Sequence, residues 1–157
     1  MSPKENQIPN IEESFQTLEK DQVKTISPFL GYMNVHKIEL GSGRSRVHLK
    51  IRPEHTNRSR TVHGGVIATL LDVAFGTAAT SVVDTSEMPI TVSLNVDYIQ
   101  SAVAGESLVA EGRVVKKGSR LVFLEAVVNT DKGEVVARGS AVMAVRSRQN
   151  NNAENAS

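Results

Sequence analysis

A single carboxylate, Asp72, stands in an apolar stretch of sequence that begins with two glycines. Residues 61 to 112 contain no lysine or arginine, so no cation three or four positions away on a helix can neutralise Asp72. A carboxylate without an ionic partner on an otherwise apolar helix is a candidate for chemistry. Asp72 is therefore the first candidate catalytic residue, as a nucleophile or as a general base.

The segment His63-Gly64-Gly65 offers a second chemical group, the backbone amides at the start of a helix. The first N–H groups of an α-helix have no acceptor within the helix and point outward. Because glycine has no side chain, a substrate carbonyl can approach these donors, and the helix dipole favours negative charge on its oxygen. The pattern predicts an oxyanion site, with close packing of the helix start as the alternative.

The helix that positions these groups is predicted from about His63 to Ser81. Its apolar residues recur three and four positions apart, which predicts a stripe packed against a sheet. At 100° per residue, Asp72 lies roughly 140° from the centre of that stripe, among small residues that allow a ligand or a second subunit close approach. The stripe comprises Ile67, Leu70, Leu71, Ala74 and Ala78, and the small residues are Gly65, Ala68, Thr69, Gly76 and Ala79.

Alternating polar and apolar residues predict strands on both sides of this helix. The alternation places Thr91 on the polar face of its strand and Val92 on the apolar face. Clusters of turn residues separate the later strands, which indicates an antiparallel meander and an α+β fold. The strands are predicted at about 46–52, 91–98, 108–115, 121–129 and 135–145.

The length of 157 residues, with polar ends, predicts one domain. Residues 1–24 are expected to form a tail and a short amphipathic helix, in which Asn10 and Glu13 resemble a capping box. Ile11, Phe15 and Leu18 would lie on one face of that helix. Residues 25–148 are expected to form the domain and residues 149–157 a disordered tail.

The composition of the chain argues against several classes of function. A net charge of +1 gives no general attraction to nucleic acid or to an anionic membrane. No apolar run approaches the length of a membrane-spanning helix and residues 1–11 do not resemble a secretory signal, so we expect a soluble cytoplasmic protein. The absence of cysteine excludes disulfides, thiolate metal ligands and a cysteine nucleophile.

The motifs around Asp72 resemble those of a known family. Asp72 follows His63-Gly64-Gly65 by nine residues, with Asn57 before them and Gly76 after them. Weaker matches are the strand 91–98 ahead of Gly105 and the segment Val136-Ala137-Arg138-Gly139. From about Pro53 to Met143 the chain resembles the hotdog-fold thioesterases of the phenylacetic-acid-degradation (PaaI) type, which hydrolyse acyl-CoA or aryl-CoA thioesters. The resemblance implies a curved antiparallel sheet wrapped around one long helix.

The resemblance also implies a role for each matching residue. Gly64 would donate its backbone N–H to the thioester oxygen, and Asp72 would be the nucleophile or general base, supplied by the opposing subunit of a homodimer or homotetramer. His63 and Asn57 would orient the thioester and shape the pocket, and Thr91 would help to hold the attacking water. A thioester has an electrophilic carbonyl and a good leaving group, so we expect no cofactor and no metal.

Two groups of basic residues are candidates for binding the phosphates of coenzyme A, although charged turns are commonly just solvated. The sequence departs from the family at Arg60, where a glycine is common, and at Gln100-Ser101, where relatives often have Arg-Pro. Both departures concern nucleotide binding and leave the reacting centre intact. The basic candidates are Arg58 and Arg60 and, separately, Lys116, Lys117 and Arg120.

Two other functions stay open beside thioester hydrolysis. A hydratase or dehydratase of the same fold would carry a differently placed histidine and acid, and the proline-containing dehydratase signature is missing around His63. A non-catalytic acyl-CoA binding module would keep the pocket, but such sensors usually add a DNA-binding domain, for which the N-terminal segment is too short. We therefore expect hydrolysis of acyl-CoA thioesters.

Overall fold

One helix, α3 (Gly64–Thr80), packs against one face of a seven-stranded antiparallel sheet in the computed structural model, which describes residues 15–148. The central helix and the later strands expected from the sequence are found close to their predicted bounds. The other elements are β1 (Gln16–Glu19), α1 (Lys20–Ile26), α2 (Pro28–Tyr32), β2 (Val35–Gly41), β3 (Arg44–Lys50), a 3-10 turn (Pro53–His55), β4 (Glu87–Tyr98), β5 (Ser107–Lys117), β6 (Leu121–Thr130) and β7 (Val135–Ser147).

The strand order is β1-β2-β3-β5-β6-β7-β4, with every pair antiparallel. The predicted meander is confirmed for β5, β6 and β7, but it is wrong for β4. That strand does not lie between β3 and β5; it pairs with β7 at the edge of the sheet. The chain leaves β3, passes through α3 and returns at the far edge, so β3 pairs directly with β5.

The buried stripe of α3 is confirmed, because Ile67, Leu70, Leu71, Ala74 and Ala78 are all buried. The prediction that Ala79 lies on the outward side is wrong, since it is 0% exposed. Ala79 follows Phe75 by about one turn, and Phe75 is also fully buried, so the buried face is wider than the predicted stripe.

The helix and the sheet approach each other closely at the backbone of Ala74. Ser45 on β3 donates its hydroxyl to the carbonyl oxygen of Ala74 over 2.7 Å. On the neighbouring strand, a Cβ added to Gly112 would lie only 2.7 Å from that same oxygen. A glycine is therefore required where β5 passes beneath α3, and this contact fixes the height of the helix above the sheet.

The predicted N-terminal helix differs from the structure at its end. Residues Gln16–Glu19 form β1, which pairs with β2, and the first helix begins only at Lys20. The N–H and C=O groups on the outer edge of β2 need hydrogen-bond partners, and β1 provides them. A helix over Phe15 and Leu18 would leave these groups of β2 without partners. Asn10, Ile11 and Glu13, like the predicted tail of residues 149–157, lie outside the described residues.

Candidate active site

Asp72 lies on the exposed face of α3, and in the described part of the chain its carboxylate has one polar partner, the hydroxyl of Thr91 on β4. Thr91 Oγ1 donates to Asp72 Oδ1 over 2.7 Å. Within residues 15–148 no ion pair involves Asp72, which agrees with the lack of nearby cations in the sequence. The structure thus brings together two of the predicted site residues and leaves the second carboxylate oxygen open.

A β-bulge in β4 is the reason that Thr91 reaches Asp72. The pairing of β4 with β7 is regular on either side but shifts between Thr91 and Ser93, so Val92 is an extra residue, 64% exposed. Thr91 pairs opposite Met143 and Leu94 pairs opposite Ala141, and both partners are buried. The prediction that Thr91 lies on the polar face is therefore wrong, because the bulge turns it toward the helix.

Among residues 15–148, the start of α3 leaves one backbone amide without a hydrogen bond. His63 is the N-cap: its Nδ1 accepts the N–H of Gly65 over 2.9 Å, and its carbonyl accepts the N–H of Val66 over 2.9 Å. The N–H of Gly64 has no hydrogen-bond partner in the described part of the chain. Because Nδ1 accepts a hydrogen bond, the neutral imidazole carries its proton on Nε2. His63 thus orients the helix start and leaves Gly64 as the donor.

A cavity of about 310 Å³ opens beside this amide. Tyr98, the last residue of β4, forms part of its wall and donates its hydroxyl to the carbonyl oxygen of Gly64 over 3.0 Å. Sequence reasoning assigned no role to Tyr98, and no spacing rule connects it to Gly64; its place at the end of a predicted strand was the available signal. The cavity is lined by Val62, Gly64, Ile67, Tyr98, Ile99, Gln100 and Ser101.

Asn57 shapes the loop that leads into α3. Its Nδ2 donates to Thr61 Oγ1 over 3.0 Å and its Oδ1 accepts the N–H of Ser59 over 2.9 Å. Arg60 in this loop has a φ of 61°, the left-handed region in which glycine is favoured, so a glycine at this position of relatives has a physical reason. The predicted role of Asn57 in orienting substrate stays a prediction.

A buried histidine, which the sequence analysis did not single out, supports the same loop. His55 is 4% exposed; its Nδ1 accepts the N–H of Arg52 over 3.1 Å, and its carbonyl accepts the N–H of His63 over 2.8 Å. Burial lowers the pKa of His55, and the neighbouring charge of Arg52 lowers it further. The backbone carbonyl of His55 thus holds His63, the residue that caps α3, and burial favours the neutral form of the His55 ring.

Asp72 and Gly64 of one chain cannot act on the same carbon atom. They are eight residues apart on one helix, a separation of about 12 Å at 1.5 Å per residue. A carbonyl bound at the Gly64 amide would need a carboxylate from another copy of the chain, as the predicted interface site requires. The open edge of β4 carries exposed apolar side chains, among them Met88, Ile90 and Val92.

The two groups of basic residues are not brought together within one chain. Arg58 and Arg60 are exposed beside the start of α3, where Thr61 and Val62 contact the segment before β5. Lys116 and Lys117 are exposed at the other end of β5, about 34 Å away at 3.4 Å per residue, with Arg120 in the turn that follows. A common phosphate site would need more than one subunit.

Residues 15–148 contain neither a cluster of three metal-binding side chains nor a helix that could cross a membrane. No group of three or more histidine, aspartate or glutamate side chains is placed to hold a metal ion there. Among the helices of this described range, none is both long and apolar enough to cross a membrane.

Comparison with known proteins identifies the family. Residues 59–137 match the thioesterase superfamily. The chain is 31% identical to human acyl-coenzyme A thioesterase 13 over 103 residues, 65% of this chain and 73% of that protein. Among solved structures, PA5202 of Pseudomonas aeruginosa is similar with a TM-score of 0.73 and 28% identity, over 78% of this chain and 97% of that one.

The phenylacetic acid degradation protein PaaI of Thermus thermophilus shares the fold, with a TM-score of 0.69 and 24% identity over 75% of this chain and 98% of that one. The sheet wrapped around one helix expected from the sequence is thereby confirmed. Family and fold agree: the chain belongs to the thioesterase superfamily, and it is a thioesterase with a hotdog fold.

Proposed function

We propose that this chain hydrolyses acyl-CoA thioesters to a free acid and coenzyme A. One observation carries the proposal: the same helix presents an ionically unpaired carboxylate, held by a hydroxyl, and one backbone amide without a partner in the described residues. Thioester hydrolysis needs these two groups, an attacking or proton-accepting carboxylate and a donor for the developing oxyanion. The similarity to human acyl-coenzyme A thioesterase 13 supports coenzyme A as the thiol.

In this proposal the thioester oxygen accepts the N–H of Gly64, and the positive end of the α3 dipole stabilises the negative charge that develops there. Asp72 then acts in one of two ways. Its carboxylate oxygen attacks the carbonyl carbon, expels the coenzyme A thiolate and forms an anhydride that water cleaves, or it takes a proton from a water molecule that attacks directly. Thr91 fixes the carboxylate in both cases, so its contact supports either route.

We further propose that each active site lies between two copies of the chain. The separation of about 12 Å between Asp72 and Gly64 along α3 supports this arrangement, because no single chain can supply both groups to one carbon. The exposed apolar side chains on the β4 edge support contact with a second copy at that edge. A homodimer is the smallest assembly that satisfies these requirements, and a homotetramer of two such dimers satisfies them as well.

Coenzyme A carries phosphates that need positive charge. We propose that Arg58 and Arg60 bind them beside the Gly64 end of α3, because both are exposed there. Lys116, Lys117 and Arg120 would contribute only from another subunit, given their position at the opposite end of β5. The uncharged side chains of Gln100 and Ser101, where relatives often have Arg-Pro, supply no cation to the cavity wall that they line.

The direct test is release of free thiol from a panel of short, medium, long and aromatic acyl-CoA substrates. We expect hydrolysis by the wild-type chain and a loss of about 10²–10⁴ in kcat for Asp72→Ala. The matched control is Asp84→Ala, which removes an exposed carboxylate in the segment between α3 and β4. An unchanged rate in Asp72→Ala would reject the assignment of Asp72.

The same panel separates the alternatives. A non-catalytic acyl-CoA binding module would bind the substrates and release no thiol, and a hydratase or dehydratase would change the acyl group while the thioester stays intact. Absence of thiol release from every substrate would therefore reject hydrolysis.

A further inference from the structure

Tyr98 touches Gly64 in two independent ways. Its hydroxyl donates to the carbonyl oxygen of Gly64 over 3.0 Å. Its ring also lies against the α-carbon, because a Cβ added to Gly64 would be 3.2 Å from Cζ and 3.3 Å from Cε1 of Tyr98. One side chain thus restrains Gly64 both by a hydrogen bond and by contact.

Gly64 needs such a restraint more than other residues of the helix. It is the first residue of α3, so its own N–H is held by no helical hydrogen bond, and glycine has the greatest backbone freedom of any residue. The N–H of Gly64 lies in the planar peptide that joins His63 to Gly64, and the carbonyl oxygen of that peptide is held by the Val66 N–H over 2.9 Å. The other end of that peptide is the Gly64 α-carbon, so the direction of the Gly64 N–H also depends on the contact with Tyr98 that holds this α-carbon.

The strand that carries Tyr98 also carries Thr91, the partner of Asp72. The bulge at Val92 turns Thr91 toward α3, and the end of the strand brings Tyr98 to the first residue of the helix. A single strand therefore contacts both groups that the proposed reaction uses. The two contacts act on different atoms and do not share a hydrogen bond.

We propose that Tyr98 is a positioning residue that holds the Gly64 amide in the direction required to bind the thioester oxyanion. The proposal rests on the proposed function for the role of the Gly64 amide. Tyr98 acts through Gly64, since its hydroxyl is already donated to the glycine carbonyl. A loss of this contact raises the barrier of the chemical step, because the amide then meets the oxyanion in a less favourable geometry, and affects substrate binding little.

The test compares Tyr98→Phe, which removes only the hydroxyl, with Tyr98→Leu, which removes the ring as well. The matched control is Tyr32→Phe, the other tyrosine, whose side chain is 80% exposed. We expect Tyr98→Phe to lower kcat roughly 3–10-fold, as loss of one hydrogen bond does, with KM and melting temperature unchanged. Tyr98→Leu should lower kcat further, up to the roughly 10²–10³-fold that a whole oxyanion donor contributes. Tyr32→Phe should change nothing.

A second measurement does not depend on catalysis. In protein labelled with ¹⁵N-glycine, Tyr98→Phe should shift the amide resonance of Gly64, while Gly43 and Gly118, in the turns beside the far end of β5, stay unchanged. Unchanged kcat together with an unchanged Gly64 resonance would overturn the proposal. A fall in kcat that only parallels a fall in melting temperature would also overturn it.

Failure of the proposed function is distinguishable from this outcome. If the wild-type chain releases no thiol from any acyl-CoA, hydrolysis is rejected, and the Gly64 resonance alone decides whether Tyr98 holds the amide.

Discussion

At the scale of single residues, the site depends on one hydrogen bond that the sequence pattern did not predict. Asp72 was predictable, because a carboxylate far from any cation is visible in the sequence. Its contact with Thr91 was not, because strict alternation assigns Thr91 to the outward face and only the bulge at Val92 reverses it. A bulge inserts one residue, and nothing in the local sequence marks its place.

Replacement of Thr91 tests that contact. Thr91→Val keeps the shape and removes the donor to Asp72 Oδ1, so we expect kcat to fall roughly 3–10-fold, the effect of one hydrogen bond. Thr91→Ser keeps the hydroxyl and should retain most of the activity in the same thiol-release assay. An equal kcat for Thr91→Val and the wild-type protein would show that the Asp72 carboxylate does not need the hydrogen bond from Thr91.

Replacement of His63 separates capping from proton transfer. Because Nδ1 of His63 caps α3, His63→Ala should lower the free energy of unfolding by about 1 kcal/mol, whereas His63→Asn, with an oxygen able to accept the Gly65 N–H, should restore it. Urea denaturation measures both. We expect His63→Asn to retain most of the hydrolytic activity; a loss as large as that of Asp72→Ala would instead assign His63 a direct part in proton transfer.

At the scale of elements, the turn Pro53–His55 connects the stability of the fold to the start of α3 through His55. Because burial lowers the pKa of His55 below its usual 6.5, the folded protein binds fewer protons than the unfolded chain in the range below that value. Stability is then fully present above pH 6.5 and is lost as the pH falls through the lowered pKa. His36, whose pKa burial and His48 also lower, acts in the same direction.

We therefore expect the free energy of unfolding to fall as the pH is lowered from about 7 to about 5. His55→Asn, which keeps an acceptor for the Arg52 N–H, should flatten that dependence, and His36→Asn/His55→Asn should flatten it further. Denaturation at a series of pH values measures the slope. A slope that is identical in the wild-type protein and in both variants would contradict the role of these histidines.

The contact between α3 and the sheet gives a second prediction at this scale. Gly112→Ala places a Cβ 2.7 Å from the Ala74 carbonyl and should cost about 1–3 kcal/mol, as overpacking does. Gly76→Ala is the matched control, because its new Cβ would make only an ordinary contact, 3.7 Å from Met143 Cε. Alanine also has a higher helix propensity than glycine, so this variant should not lose stability. Equal stabilities of the two variants in urea would contradict the close approach.

The elements also show which parts of the fold are readable from sequence. The spacing of apolar residues predicted α3 and its buried stripe, since helical periodicity and burial have the same physical cause. Strand order was not predictable, because β3 pairs with β5 across an intervening helix and strand. The prediction of a helix in place of β1 was wrong, because residues 15 to 19 contain no sign that the outer edge of β2 needs a hydrogen-bonded partner strand.

At the scale of the whole molecule, the sequence supplies every reacting group and a single chain cannot use them together. Asp72 and Gly64 lie about 12 Å apart on the same helix, and the basic residues lie at opposite ends of β5. Activity is therefore expected to belong to an assembly, in which one copy provides the carboxylate and another the amide. A dilution series followed by sedimentation should show hydrolytic activity lost together with the dimer.

The central claim is tested most directly by mixing two inactive variants. Gly64→Pro removes the amide hydrogen at a first helical position whose backbone accepts proline, while the Tyr98 side chain, 3.2 Å from the new Cβ, must shift. His63, with φ −65° and ψ 136°, already has the backbone that precedes proline. Asp72→Ala removes the carboxylate. If the site spans two chains, a hybrid dimer of the two variants contains one intact site.

We expect equal amounts of the two variants, refolded together, to recover about a quarter of the wild-type activity, because half of the randomly paired dimers are hybrids with one intact site of two. Each variant refolded alone is the control and should stay inactive. Activity of the mixture no higher than that of the separate variants, with hybrid dimers shown to be present, would contradict a site shared between two copies.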